Sequence, residues 1–300
     1  MKHQTQSESD IHLCHICPRR CRVDREAGEI GICGVPAAFR VARIAPHMWE
    51  EPPISGTRGS GTVFFSGCSL RCVFCQNRPI SREGKGEDMD DDELIARILA
   101  LQEQGVHNIN FVTPTHYATR LRPLLERLRP LLRIPVVYNC GGYEDADMLR
   151  ELDGLIDIYL PDFKYISTEL SRQYSGAADY ADVACVALLE MYRQVGAVRM
   201  DENGMMTRGM IVRHLVLPGC RQDSMAVLRE IATLIPVNDI RLSLMCQYTP
   251  DFAKDCPYPN LHRKLTTFEY TSVLKVADEL GFDGYRQSME SVGAQYTPDF

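Results

Sequence analysis

From Gly61 onward the chain alternates two textures. Short apolar runs of strand length (Thr62–Ser66, Asn108–Val112, Pro135–Tyr138, Ile156–Leu160, Met210–Leu217, Asp239–Leu244) are separated by helical patterns. The clearest is Glu93–Gln104, apolar at 94, 95, 98, 99 and 101. Helices are also predicted over Tyr117–Leu132, with Pro123 near its first turns, and over Asp145–Leu152, Tyr180–Val195, Ser224–Ile235 and Thr266–Leu280. A short strand-like stretch, Phe282–Arg286, follows the last helix. Strands alternating with helices imply a parallel sheet with right-handed crossovers. A complete eight-fold barrel needs ~250 residues, and six units fill the span here. The expected fold is therefore α/β, an incomplete parallel (β/α)6 barrel with its ligands at the C-terminal strand ends.

Residues 1–60 read differently. They are rich in Cys, Arg, Gly and Pro and show little periodicity. Such a segment is expected to fold as loops around a ligand, or to lie on the main body. The organisation predicted is a Cys-rich N-terminal segment, 1–60, and a barrel, 61–300. The first ten residues are polar and lack the apolar core of a secretory signal. No apolar run reaches the ~18 residues of a membrane helix. The expected location is cytoplasmic, with no membrane partner. With 45% hydrophobic and 24% charged residues the chain has a globular balance, and its net charge of −7 argues against broad nucleic-acid binding.

A reducing compartment changes the meaning of the twelve cysteines, because clustered thiols there bind metal or do chemistry more often than they form disulfides. Seven of them, Cys14, Cys17, Cys21, Cys33, Cys68, Cys72 and Cys75, fall in the first 75 residues. Cys68, Cys72 and Cys75 form C-x3-C-x2-C directly after the first strand. Three thiolates on one short loop suit three irons of a [4Fe–4S] cube and leave the fourth iron open to a chelating ligand. Phe74 would shield the cube, and Gly67 would ease close backbone approach. The competing readings are small-hydrophobe packing and a zinc site, although zinc knuckles usually add a fourth ligand nearby.

The segment GCSLRCVFCQN, residues 67–77, resembles the signature loop of the radical S-adenosylmethionine (radical SAM) superfamily, most closely the group related to pyruvate formate-lyase activating enzymes. The resemblance runs over roughly residues 60–290. It implies a partial barrel, one [4Fe–4S] cluster held by Cys68, Cys72 and Cys75, and S-adenosylmethionine chelating the open iron. It implies reductive cleavage to a 5′-deoxyadenosyl radical that abstracts hydrogen from a substrate. In activating enzymes that substrate is a glycine of a glycyl-radical partner. An electron donor such as a flavodoxin or ferredoxin is implied as well. No residue beyond the cluster is assigned a catalytic role.

Cofactor-binding candidates follow from the same resemblance. The family's Gly-Gly-Glu segment after the second strand is replaced by Val112-Thr113-Pro114-Thr115-His116, where Thr113 and Thr115 offer hydroxyls to an ammonium. His116 reads as an ordinary hydrogen-bonded histidine. Asn139 follows the third strand at the family's polar position, and Cys140 beside it reads as structural. Asp162-Phe163-Lys164 resembles the Asp-x-Lys of activating enzymes, with Lys164 toward the methionine carboxylate and Asp162 orienting it. Arg213 faces inward by alternation and requires an anionic partner, for which that carboxylate would serve. Gln247 falls near the expected adenine and ribose.

Two features lie outside the resemblance. Cys14, Cys17, Cys21 and Cys33 form a second metal-site candidate, for zinc or a second Fe–S cluster, with His12 and His15 as spare ligands. The hexapeptide Gln-Tyr-Thr-Pro-Asp-Phe occurs at 247–252 and again at 295–300. Three functions stay open: a radical SAM activase of a glycyl-radical partner, a radical SAM enzyme acting on a small molecule or other peptide, and a non-catalytic metal-bound interaction protein.

Overall fold

The computed structural model describes residues 13–288. His12 and the second copy of the hexapeptide lie outside them. Strand β1 (Phe39–His47) leads through a short helix, α1 (Pro52–Ser55), into β2 (Ser60–Phe65). Helix α2 (Arg78–Ser81) and strand β3 (Glu87–Met89) follow the cysteine loop. Next come α3 (Asp91–Glu103), β4 (Ile109–Val112), α4 (Ala118–Leu128), β5 (Val136–Cys140), α5 (Ala146–Arg150) and β6 (Ile158–Pro161). Helices α6 (Thr168–Ser175) and α7 (Tyr180–Val195) precede β7 (Arg199–Met200) and β8 (Met206–Leu215). The chain continues through α8 (Arg221–Leu234), β9 (Arg241–Met245), α9 (Thr267–Glu279) and β10 (Gly284–Arg286).

The sheet order is β10-β9-β8-β6-β5-β4-β2-β1-β3, with β7 attached to β8. Every neighbouring pair from β2 to β10 is parallel, so the α/β fold with a mostly parallel sheet is as expected. The stretch ending at Arg286 adds a seventh parallel strand to the six anticipated. Its Gly284 is required, since a Cβ there would meet the Leu242 carbonyl oxygen at 2.0 Å. The sheet does not close, because β10 and β3 form its two ends.

The differences from the sequence pattern have local causes. The helix expected to reach Leu132 ends at Leu128 and gives way to a 3₁₀ turn, Arg129–Leu131, because Pro130 has no N–H to continue the ladder. Strand β1 lies in the segment read as loops. It pairs antiparallel with both β2 and β3, and a register shift between Val41 and Arg43 breaks the two-residue alternation that would have announced it. Helix α6 was not anticipated. Ser167 caps it, accepting from the Leu170 N–H at 3.3 Å, and Gly176 ends it in the left-handed conformation.

Helix starts elsewhere match their residues. Asp90 caps α3 by accepting from the Glu93 N–H, and Asp91, Asp92 and Glu93 oppose the helix dipole. Thr266 and Glu269 form a reciprocal capping box on α9. Among the described residues, no helix is long and apolar enough to cross a membrane.

The core runs from β1 across the sheet. Phe65, fully buried on β2, stacks on Phe39 at 5.5 Å and on Phe111 at 6.1 Å, with Tyr117 at 5.2 Å. This aromatic group ties the N-terminal strand to the barrel just ahead of the cysteine loop. Phe65→Ala should cost about 3–5 kcal/mol of unfolding free energy, measured by urea denaturation of the metal-free chain. A loss below about 1 kcal/mol would show that this contact is not a core contact.

Candidate active site

The strand exits converge on one cavity of about 340 Å³. Cys68, Cys72 and Cys75 line it after β2, Thr113 after β4, Asn139 at the end of β5, and Asp162 and Lys164 after β6. Arg213 comes from β8, Ser243 and Met245 from β9, Gln247 from beyond β9, and Tyr285 and Gln287 from β10 and its exit. For residues on all these strands to meet, the sheet must curl around the space.

The cysteine loop is held from several sides. The Cys72 sulfur is 3.1 Å from the Ser175 Oγ, and the Ser81 hydroxyl donates to the Cys75 sulfur at 3.4 Å. The Leu70 N–H donates to the Cys68 sulfur at 3.4 Å. Phe74, 9% exposed, meets Tyr174 and Tyr248 edge-on, forming an aromatic wall behind the loop. Burial pushes the Cys68 thiol up to about 12, and nearby Cys72 adds to the rise. A metal that binds the thiolate would reverse that penalty. Among the described residues no three His, Cys, Asp or Glu side chains meet as a set for a single ion. A cube bound at its corners keeps its thiolates farther apart than one ion does, so a shared cavity wall of three thiols fits the larger group.

The N-terminal segment braces this loop. The Cys33 carbonyl accepts from the Cys68 N–H at 3.2 Å. Arg19 donates to the Ser69 carbonyl at 2.7 Å, and Arg71 donates to the Ile32 carbonyl at 3.2 Å. Gly67, at φ 87°, leaves room for the crossing chain, since a Cβ would meet Val35 at 2.6 Å and the Cys33 carbonyl at 2.9 Å. Within the segment, the Cys14 N–H donates to the Val23 carbonyl and the Arg22 N–H to the Cys14 carbonyl, folding Cys14 back beside Cys21. Arg20 and Arg22, flanking Cys21, both have positive φ. Burial raises the Cys17 thiol to about 12, with Cys14 and Cys33 close enough to add to the effect.

Across the cavity lies a buried ion network. Arg213 donates through Nε to Asp162 at 2.9 Å, through Nη1 to Glu50 at 3.3 Å, and through Nη2 to the Asn139 side-chain oxygen. Lys164 donates to the other Asp162 oxygen. Burial works against the charge on Asp162, but Lys164 and Arg213 outweigh it and hold the carboxyl below its ordinary range. Burial likewise opposes the Lys164 charge, and Asp162 overcomes it, so the ammonium stays charged at neutral pH. Arg213 thus finds its anionic partners within the chain, in Asp162 and Glu50, where the sequence reading assigned it the methionine carboxylate.

The other candidates divide. Thr113 lines the cavity in a left-handed backbone, φ 59°, rare for a β-branched residue and typical of strain kept at functional sites. Thr115 is not in the cavity wall; its buried hydroxyl donates to Glu144 at 2.7 Å. His116 bonds the Ser66 carbonyl at 2.8 Å, and burial with Arg25 nearby pushes it down to about 3, so it is neutral. His214, on the opposite face from Arg213, bonds the Phe163 carbonyl at 2.7 Å. Gln247 accepts from Gln287 at 3.0 Å. The first copy of the hexapeptide supplies Gln247, Tyr248, Thr249 and Phe252 to the wall. Glu50, Glu51 and Gln287 escaped the sequence reading. The doublet Glu50-Glu51 before Pro52-Pro53, beside the single tryptophan, was the available signal.

Residues 62–201 match the model of the radical SAM superfamily. Two uncharacterised proteins of Methanocaldococcus jannaschii are similar to the chain. One is 29% identical over 280 residues, covering 90% of this chain and 75% of its own length. The other is 26% identical over 196 residues, covering 59% of this chain and 53% of its own length. Among solved structures, methylornithine synthase (PylB) aligns with a TM-score of 0.47 and 17% identity, over 72% of this chain and 61% of its own. Streptococcus suis SuiB bound to its precursor peptide SuiA aligns at 0.49 and 14%, over 74% of this chain and 46% of its own. The chain therefore spans less than two thirds of the second relative and of both these structures.

Behind Cys140, Glu144 is buried with the Thr115 and Tyr138 hydroxyls donating to it. Burial raises its pKa from 4.5 to about 7, against the pull of those hydrogen bonds. The native state then keeps a proton that the unfolded chain releases above pH 4.5, so stability falls as pH rises toward 7. Relative to Glu144→Gln, the wild type should lose up to about 3 kcal/mol between pH 5 and 8 in urea unfolding. A pH-independent difference between the two would refute the buried acid.

Proposed function

We propose that the chain is a radical SAM enzyme whose cavity holds a [4Fe–4S] cluster on Cys68, Cys72 and Cys75 with S-adenosylmethionine beside it. The observation that supports this reading most is the shared wall: three thiols of one strand-exit loop and a charged polar set face the same space. Held by Cys68, Cys72 and Cys75, the cluster would supply the electron for reductive cleavage of S-adenosylmethionine, and with it the hydrogen-abstracting chemistry of the superfamily. The chain's own residues then bind and orient. Lys164, charged and held by Asp162, offers a cation to the methionine carboxylate. Asn139 and Thr113 offer polar groups beside it, and Gln247 with Gln287 lies at the β9 and β10 exits. The wall of Phe74, Tyr174 and Tyr248 would keep water from the cluster.

The resemblance of Asp162-Phe163-Lys164 to the activating enzymes supports a glycine of a partner protein as the hydrogen donor. Formation of a glycyl-radical signal on a pyruvate formate-lyase-type partner, read by electron paramagnetic resonance, tests that finer reading. The four N-terminal cysteines support a second metal centre, and since among the described residues no three of them meet as a set for a single ion, an Fe–S cluster fits them better than zinc. Their segment has few apolar residues of its own, and it presses on the cluster loop through Cys33.

The deciding experiment is anaerobic reconstitution with iron and sulfide, reduction, and assay of 5′-deoxyadenosine together with iron and zinc per chain. Cys72→Ala should abolish the nucleoside and the cluster's iron; normal cleavage by that variant would overturn the assignment. Lys164→Ala should keep the iron and weaken S-adenosylmethionine binding tenfold or more, whereas loss of iron would make Lys164 structural. Metal retained by the Cys68/Cys72/Cys75→Ala triple variant and removed by further Cys14→Ala and Cys17→Ala changes would establish the second site. A metal-free triple variant would remove it.

A further inference from the structure

The cavity holds more carboxyl groups than Lys and Arg side chains. Three carboxylates line it, Glu50, Glu51 and Asp162, against two cations, Arg213 and Lys164. The pairings are specific. Arg213 is taken up by Asp162, Glu50 and the Asn139 oxygen, and Lys164 by Asp162. Glu50 also accepts from the Asn110 and Asn139 amides at 3.2 and 3.3 Å. Glu51 is left over. It is 8% exposed, it lines the cavity, and among the described residues its Oε2 has no hydrogen-bond partner. A buried carboxylate oxygen without a donor is an unmet requirement, which a bound group carrying both hydrogen-bond donors and positive charge would meet.

The position of Glu51 says which bound molecule this is. Its neighbour Ser243 lies inside β9, two residues short of the strand's last residue, Met245. Arg213, the cation whose charge it feels, likewise lies two residues before the end of β8. The cysteines sit on a loop beyond the exit of β2. Glu51 also follows β1, whose last residue, His47, pairs with Ser60 at the start of β2, so it enters the cavity from the end opposite the cysteine loop, where the cluster would sit. A cofactor anchored to the cluster would fill the loop end of the cavity, which leaves the opposite end to the substrate. Beside Glu51 stands Tyr285, close enough to sense its charge, and Trp49 and Phe252 line the same space. Aromatic faces next to a carboxylate form a site for an organic cation on an apolar stem. Burial, the largest influence on Glu51, disfavours its charge in the empty cavity, so an incoming cation also restores the ionised form.

We propose that Glu51, flanked by Tyr285, is a specificity residue that takes an alkylammonium or guanidinium group of the substrate. The inference rests on the radical SAM reading, and its test is separable from that reading.

Trp49 is the only tryptophan and lines the cavity, so its fluorescence reports occupancy. Reconstituted protein is titrated anaerobically, with and without S-adenosylmethionine, using n-butylammonium, n-butylguanidinium, the neutral n-pentanol and the anion pentanoate. The expected result is saturable binding of the two cations at least tenfold tighter than of the alcohol, and no binding of the anion. Glu51→Gln should weaken cation binding tenfold or more while changing S-adenosylmethionine affinity less than twofold; Glu51→Asp should retain part of the cation preference. Equal binding of alcohol and cation, or cation binding unchanged by Glu51→Gln, overturns the proposal. So does a Glu51→Gln variant that loses S-adenosylmethionine binding instead, because Glu51 would then serve the cofactor. Iron content and thermal unfolding of both variants establish that they fold. Cation selectivity without 5′-deoxyadenosine formation would defeat the radical reading and leave the binding site standing.

Discussion

The guanidinium of Arg213 is the constraint around which the cavity is built. It lies on β8, and its donors reach Asp162 after β6, Asn139 on β5 and Glu50 from the chain ahead of α1. Removing one partner of such a buried set typically costs about 3–5 kcal/mol, because the opposite charge is stranded. The same network fixes Lys164 through Asp162 and turns the Asn139 amide toward Glu50. A single buried cation thus joins three parallel strands to a segment that precedes the barrel, and it sets the electrostatics of everything bound above it.

A second constraint works on the opposite wall. The cysteine loop has few contacts that it could make alone, so it borrows them: Cys33 takes its first amide hydrogen, Arg19 holds Ser69, and Ser81 and Ser175 hold two of the sulfurs. Backbone strain gathers around these two walls. Apart from glycines, positive φ among the described residues occurs at Arg20, Arg22, Arg71 and Thr113, beside the N-terminal cysteines, in the loop itself, and at the cavity. Strain of this kind persists only where surrounding contacts over-determine the conformation, which is what a ligand-holding loop requires. The N-terminal segment is therefore part of the site's support, whatever it binds in its own right.

The parts of this protein legible in its sequence are those carried by short-range patterns. Apolar runs and helical stripes mark the parallel strands and most helices, because burial repeats with a fixed local period. Residues at strand exits could be nominated because a parallel sheet brings its C-terminal ends together. The C-x3-C-x2-C spacing nominated one loop for metal chemistry, because that loop holds all three thiols. The tertiary structure decided what no local pattern encodes. It chose Thr113 over Thr115 for the cavity wall, since a left-handed residue at the β4 exit turns the next side chains toward Glu144. It gave Arg213 protein carboxylates as partners and brought Glu50 and Glu51, far from it in sequence, beneath it. It also placed the strand-like stretch read at Phe282–Arg286, as β10, and Gln287 after it in the far wall. The reason is physical: periodicity shows which side of an element is buried, whereas the partner of a buried charge is set by how distant segments meet in space.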